Sequence, residues 1–194
     1  MRQLGKIFLF PVIAAMFFGC AGSSSFMSPS ATPPAGPSAD KAMVYFMRPS
    51  GMGFAINFQI YHGDELIGLS QAKSYFTYEC DPGTQMFLGT AENKHGLKAE
   101  LEAGKSYFVL TQVKMGAWKA RMAFVPVTRD SEWWPKVDTF KAKLKYIKAE
   151  RGALDAYRQA NKEKIDATLD QVYPYLNSPE GQKYVVYLGP DDGR

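Results

Sequence analysis

Leu97-Lys98-Ala99-Glu100-Leu101-Glu102-Ala103-Gly104-Lys105-Ser106-Tyr107-Phe108-Val109-Leu110-Thr111-Gln112-Val113 is the stretch that decides the fold. Leu97, Ala99 and Leu101 alternate with Lys98 and Glu100, and Tyr107, Val109, Thr111 and Val113 alternate with Phe108, Leu110 and Gln112. A period of two marks half-buried strands, and Ala103-Gly104-Lys105 between the runs predicts a hairpin turn. The same period extends upstream, where Ile56, Phe58 and Ile60 alternate with Asn57, Gln59 and Tyr61. Further turn signals stand at Pro49-Ser50-Gly51, His62-Gly63-Asp64, Asp81-Pro82-Gly83 and Lys94-His95-Gly96.

Strands are therefore expected near 43–48, 56–62, 65–69, 73–80, 84–92, 97–101 paired with 106–114, and 119–127. No helical period separates them, so the expected architecture is mainly β, an antiparallel β-sandwich of about seven or eight strands over residues 41–128. Residues 129–194 read as a helical C-terminal extension, making the whole chain α+β. Val137 to Lys148 stays open, because Lys141, Lys143 and Lys145 alternate with Ala142, Leu144 and Tyr146 as in a strand while Lys, Ala and Leu favour a helix. From Ala153 the stripe Leu154, Tyr157, Ile165, Leu169, Val172 and Leu176 has helical spacing and should pack on the sandwich. Pro174 is expected to end or kink that helix. Ser178-Pro179-Glu180 signals the start of a second helix, stopped by Gly189-Pro190.

The N-terminus has its own grammar. Arg2 and Lys6 precede an apolar stretch from Ile7 to Phe18, which is short of the ~20 residues a bilayer-crossing helix needs. Phe17-Phe18-Gly19-Cys20 closes it, so residues 1–19 read as a cleaved signal peptide. The segment resembles a bacterial lipoprotein signal, which implies acyl chains such as palmitate on Cys20. It also implies a cell-envelope location, and Ala21 rather than Asp after the Cys points to the outer membrane facing the periplasm. Residues 21–40 are small, polar and Pro-rich, and are expected to form a disordered tether.

Composition narrows the partners. Without Arg2 and Lys6 the formal net charge of +4 falls to +2, too near balance to suggest nucleic acid. The remaining chain is long enough to bury roughly 70% of its unfolded surface, so neither disulfide nor metal is required for stability. Once Cys20 is acylated, Cys80 has no partner and reads as a small buried residue on the same strand face as Phe76 and Tyr78.

Few residues offer chemistry. His62 and His95 are the only histidines, each beside a glycine, and are expected in solvated turns. No ligand cluster accompanies them, so no metal and no cofactor is called for. No nucleophile elbow or dinucleotide loop occurs. An envelope hydrolase using His62 or His95 with a partner met in space is a rival reading. Arg48, followed by Pro49-Ser50-Gly51-Met52-Gly53-Phe54, can hold a carboxylate or phosphate in its planar fork or pair with a nearby acid. Trp133 and Trp134 can stack on a sugar or clamp the C-terminal segment to the sheet. The lysines between Lys136 and Lys148 read as a solvated face.

Met43-Val44-Tyr45-Phe46-Met47-Arg48-Pro49-Ser50, then Gly68, Ser74-Tyr75-Phe76-Thr77-Tyr78, Pro82-Gly83, and Glu102-Ala103-Gly104-Lys105-Ser106-Tyr107-Phe108-Val109 stand in an order that resembles the bacterial family called domain of unknown function 2846. The resemblance covers residues 41–127 and implies a small β-sandwich on envelope lipoproteins, with no reaction attached. The expected function is that of a lipid-anchored, non-enzymatic structural or interaction module. Its partners would be the membrane through the anchor and an envelope protein or glycan. A glycan- or peptide-binding module using Arg48 and exposed aromatics is the alternative.

Overall fold

The computed structural model describes residues 25–91, 93–115 and 120–194. Residues 1–19, read from sequence as a signal peptide, and Cys20 lie outside them. In chain order the strands are β1 (Met27–Pro29), β2 (Ala42–Arg48), β3 (Phe58–His62), β4 (Glu65–Ser70), β5 (Ser74–Cys80), β6 (Gly83–Thr90), β7 (Lys94–Leu101), β8 (Ser106–Met115) and β9 (Ala120–Pro126). Then follow helix α1 (Val137–Lys143), strand β10 (Lys145–Ala149), helices α2 (Arg151–Ala160) and α3 (Lys162–Asn177), and strand β11 (Val185–Leu188).

The strands form two mixed sheets packed face to face. One has the order β1-β10-β5-β2-β8-β9, the other β11-β7-β6-β3-β4. All eight strands expected from the alternation are present, but the antiparallel-only sandwich is corrected: β2 runs parallel to β8, β10 to β5 and β11 to β7. The hairpin expected across Ala103-Gly104-Lys105 is corrected too. β7 and β8 are consecutive yet lie in different sheets, so this turn carries the chain from one layer to the other. The reason is visible in β8 itself. Its inward Tyr107 and Val109 enter the core between the sheets, while its outward Phe108 and Leu110 are buried as well, beneath Trp134 and Val137. A strand apolar on both faces belongs inside a covered sheet rather than in a two-stranded ribbon.

β2 follows the same logic. Val44 and Phe46 point between the sheets, Tyr45 and Met47 point outward, and the whole strand is buried between β5 and β8. Gly89 allows the layers to meet, since a Cβ there would run into Met122 and the Phe124 ring. The open segment 137–148 resolves into both of its readings, with α1 over its first half and the start of β10 over its second.

The stripe Leu154, Ile165, Leu169, Val172 and Leu176 packs with Tyr61, Leu66 and Leu88 on the outer face of the second sheet. The helix breaks at Asn161, whose side chain donates to the Tyr157 carbonyl, rather than at Pro174, which sits inside α3. Pro174 and Asp170 are both on the exposed face of α3, where the amide that Pro174 lacks is least missed. The second helix expected from Ser178 is corrected. Ser178 Oγ instead accepts from the Gly181 amide ahead of a 3₁₀ turn at Gln182–Tyr184, and the β-branched Val185-Val186 enter β11. The tether is corrected where it is described. Met27 is buried in the core, Pro29 pairs opposite Ile147, and the Phe26 ring packs edge-on against Tyr157 at 5.2 Å.

Candidate functional site

Arg48 ends β2 and is fully enclosed, with 0% of its surface exposed. Among the described residues no carboxylate meets it. Nη1 donates to the carbonyls of Ile56 (2.6 Å) and Ser70 (3.2 Å), and Nη2 to those of Met52 (2.8 Å) and Gly53 (2.9 Å). The guanidinium lies over the Phe58 ring at 4.6 Å, Nε has no partner among the described residues, and burial lowers its pKa from the ordinary value. Both expected partners, an acid or a bound anion, are thus replaced by backbone oxygens, three from the following loop and one from the end of β4.

The tryptophans lie elsewhere, against the outer face of the first sheet. Trp134 meets Phe108 edge-on at 6.3 Å beneath the Arg194 guanidinium, and Trp133 faces Phe140 at 6.2 Å. The structure therefore does not bring Arg48, Trp133 and Trp134 together, and the tryptophans clamp the C-terminal segment.

Neither histidine occupies the solvated turn expected of it. His62 ends β3 half-buried, its Nδ1 3.0 Å from the Tyr78 hydroxyl and its Nε2 2.8 Å from Gln85 Oε1. His95 lies within β7, because the β6–β7 connection closes earlier, with the Ala91 amide donating to the Asn93 carbonyl. Its Nδ1 accepts from the Phe124 amide at 3.4 Å, and burial first, then the charge of Lys114, lowers its pKa. Cys80 is buried among apolar neighbours, which pushes its thiol up to about 12. Among the described residues no three His, Cys, Asp or Glu side chains are grouped to hold a metal ion, and no helix is long and apolar enough to cross a membrane.

A different constellation carries the strongest chemistry. A groove of about 590 Å³ opens where the start of β7, the β8–β9 pair and the segment after α3 converge. Lys94, Lys114, Arg121 and Lys183 line it together with Asn93 and His95, and among the described residues no carboxylate lines it. Lys114 and Arg121 are direct cross-strand partners, an arrangement of like charges that destabilises a strand pair. None of the four cations is ion-paired among the described residues. At the rim the rings of Tyr175 and Tyr184 stand 6.2 Å apart and tilted by 35°, 44% and 38% exposed, with Lys183 Nζ 5.1 Å from the Tyr184 ring. Asn93 fixes one wall, donating to the Met122 carbonyl and accepting from its amide, each at 2.8 Å.

Lys94 links the groove to a smaller cleft of about 180 Å³ between the second sheet and α2–α3. That cleft is closed by its own hydrogen bonds: Tyr61 donates to Gln59 Oε1 (3.0 Å), and Gln59 Nε2 donates to the Tyr157 hydroxyl (3.2 Å).

Sequence reasoning misses the groove because its residues come from separated segments, each an ordinary solvated lysine or tyrosine on its own. The one local signal is that Lys114 and Arg121 fall on two successive expected strands. No protein-family model, no curated protein and no solved structure matches this chain.

Proposed function

We propose that this protein is a lipid-anchored, non-enzymatic module of the bacterial envelope that holds an anionic glycan in the basic groove. One observation carries the reading: Lys114 and Arg121 face each other across a strand pair with Lys94 and Lys183 beside them and no carboxylate among the described lining residues. A fold gains nothing from that repulsion, whereas sulfate, phosphate or uronate groups relieve it through charge-assisted hydrogen bonds. Tyr175 and Tyr184 supply flat apolar faces for sugar rings. The anchor is proposed at Cys20 on the sequence pattern of residues 1–20, with the outer membrane, periplasmic side, as its location. Against a hydrolase stands the engagement of both histidines with Tyr78, Gln85 and the Phe124 amide, no serine or cysteine among the described residues being hydrogen-bonded to either ring.

The test is titration of the purified protein with dextran sulfate and with neutral dextran of equal length. Binding to the sulfated polymer alone, weakening as salt rises, is the expected result. Arg121→Gln should weaken it by roughly ten- to a hundred-fold, consistent with loss of a charge-assisted bond of ~1.5–3 kcal/mol. The same substitution should leave folding stability unchanged or raise it by roughly 0.2–1 kcal/mol, because a like-charge pair is removed. Equal affinity for both polymers rejects the groove as an anion site. Anchorage is tested separately: Cys20→Ala should leave the protein unprocessed or turn membrane attachment that survives high salt into attachment that high salt removes, and a soluble wild-type protein with an unmodified N-terminus rejects it.

A further inference from the structure

The loop between β2 and β3 contains no charged residue and is built around Arg48. Three of the four carbonyls that surround the guanidinium, those of Met52, Gly53 and Ile56, belong to this loop. Gly53 adopts φ +62°, where side chains are disfavoured, and its carbonyl also accepts from the Ile56 amide at 2.9 Å. The Met52 amide is held by Ser50 Oγ at 3.0 Å. The backbone is thus tied down from inside, and the apolar side chains are turned out: Phe54 is 82% exposed, Met52 53% and Ile56 38%. A ring held in water on a fastened loop forfeits hydrophobic free energy that a floppy loop recovers by folding back.

Two exposed lysines border this tip. Lys73 lies along Gly51, so that a Cβ there would sit 3.2 Å from its Cε, and the Lys145 amide donates to the Lys73 carbonyl at 3.1 Å. Neither is ion-paired among the described residues. An apolar tip inside a cationic collar matches a bilayer with anionic headgroups, where rings enter the acyl boundary and ammonium groups stay at the phosphate level. A second copy of the chain would set collar against collar.

We infer that the Pro49–Asn57 loop docks on an anionic lipid surface, with Phe54 leading and Lys73 and Lys145 at the headgroups. The surface is distinct from Arg121 and Lys183 of the groove, so the inference stands or falls without the glycan reading.

The test uses the full chain carrying Cys20→Ala and Phe54→Cys, with an environment-sensitive fluorophore on the new thiol, Cys80 being buried. Vesicles of phosphatidylcholine alone are compared with equal parts phosphatidylcholine and phosphatidylglycerol. A blue-shifted emission, quenched by brominated acyl chains, is expected on the anionic vesicles only. Lys73→Glu together with Lys145→Glu should lower that partition by roughly ten-fold or more at low salt. A probe that keeps its aqueous emission on both vesicles overturns the inference, and so does an equal shift on both. Attachment through the N-terminal segment leaves a probe at position 54 unmoved, so it cannot imitate the expected result.

Discussion

A guanidinium enclosed by protein keeps its charge only while enough oxygen dipoles point at it, and at Arg48 four carbonyls do so. Lysine preserves the charge but lacks the planar fork that spans both sides of the site. Arg48→Lys should therefore lower stability by about 2–4 kcal/mol in urea unfolding, since carbonyls lose a charged donor without regaining water, and amide exchange should rise first at Met52 to Ile56. An unchanged midpoint would reject the clamp. The loop was legible in sequence as special, through Arg48 and its glycines, but not the direction of its bonds, because an Arg reads alike whether it meets a carboxylate or a ring of backbone oxygens. His95 gives a second expectation, in pH. Burial lowers its folded pKa below the unfolded value of about 6.5, so as pH falls through that value the unfolded chain takes up a proton that the folded chain still refuses. Stability contributed here is complete above the unfolded pKa and declines below it until the folded pKa is reached. His95→Gln should remove that part of the acid decline, and dextran sulfate in the groove should reduce it in the wild type by favouring the imidazolium. Parallel stability-against-pH curves for the two proteins would contradict the buried-neutral assignment.

At the level of elements, alternation predicted eight strands correctly but not their neighbours. Period two reports which side chains share a face and is silent on which strand lies alongside, so β7 and β8 looked like a hairpin though they belong to separate sheets. The available sign was compositional, for Phe108 and Leu110 make both faces of β8 apolar. Polar composition misled in the opposite sense at residues 25–30, where Phe26 and Met27 suffice to dock a short strand whose partner, β10, lies more than a hundred residues on. Met27→Ala should cost about 2–5 kcal/mol as a buried-core truncation, whereas a true tether would tolerate it without a change in urea midpoint. Helical spacing from Ala153 onward identified the buried stripe, though not the break at Asn161 or the place of Pro174 inside α3, because long side chains on one face need a surface, and the second sheet offers Tyr61, Leu66 and Leu88. Leu169→Ala should cost a similar 2–5 kcal/mol, and an unchanged unfolding midpoint would mean that the stripe does not support the fold.

Across the whole molecule the cations divide by pole into paired and unpaired, which a formal net charge near balance conceals. Lys73, Lys94, Lys114, Arg121, Lys145 and Lys183 gather, without ion pairs among the described residues, where β2 and β8 end and β5, β7 and β10 begin, while at the opposite strand ends Asp64, Glu65, Asp81 and Glu102 are met by Arg158, Arg151, Lys41 and Lys105. The groove and the apolar loop both lie at the basic pole, so an anionic surface or polymer approaching from that side meets the field that steers it inward. The length of the leash decides how the proposed anchor acts on this body. Because ordered chain is already present at Ser25, only five peptide units separate it from Cys20, and these span at most ~18 Å. A twenty-residue tether would allow ~25 Å as a flexible coil and more with prolines extended. The body of an anchored molecule should therefore be unable to tumble freely above the bilayer. A spin label at the exposed Asp170, as Asp170→Cys in vesicle-reconstituted protein, should report restricted rotation that an insert of about twenty Gly/Ser residues after Gly22 relieves. If the label rotates as freely without the insert as with it, strand β1 does not hold the start of the chain to the body in the anchored state, and the short leash is wrong.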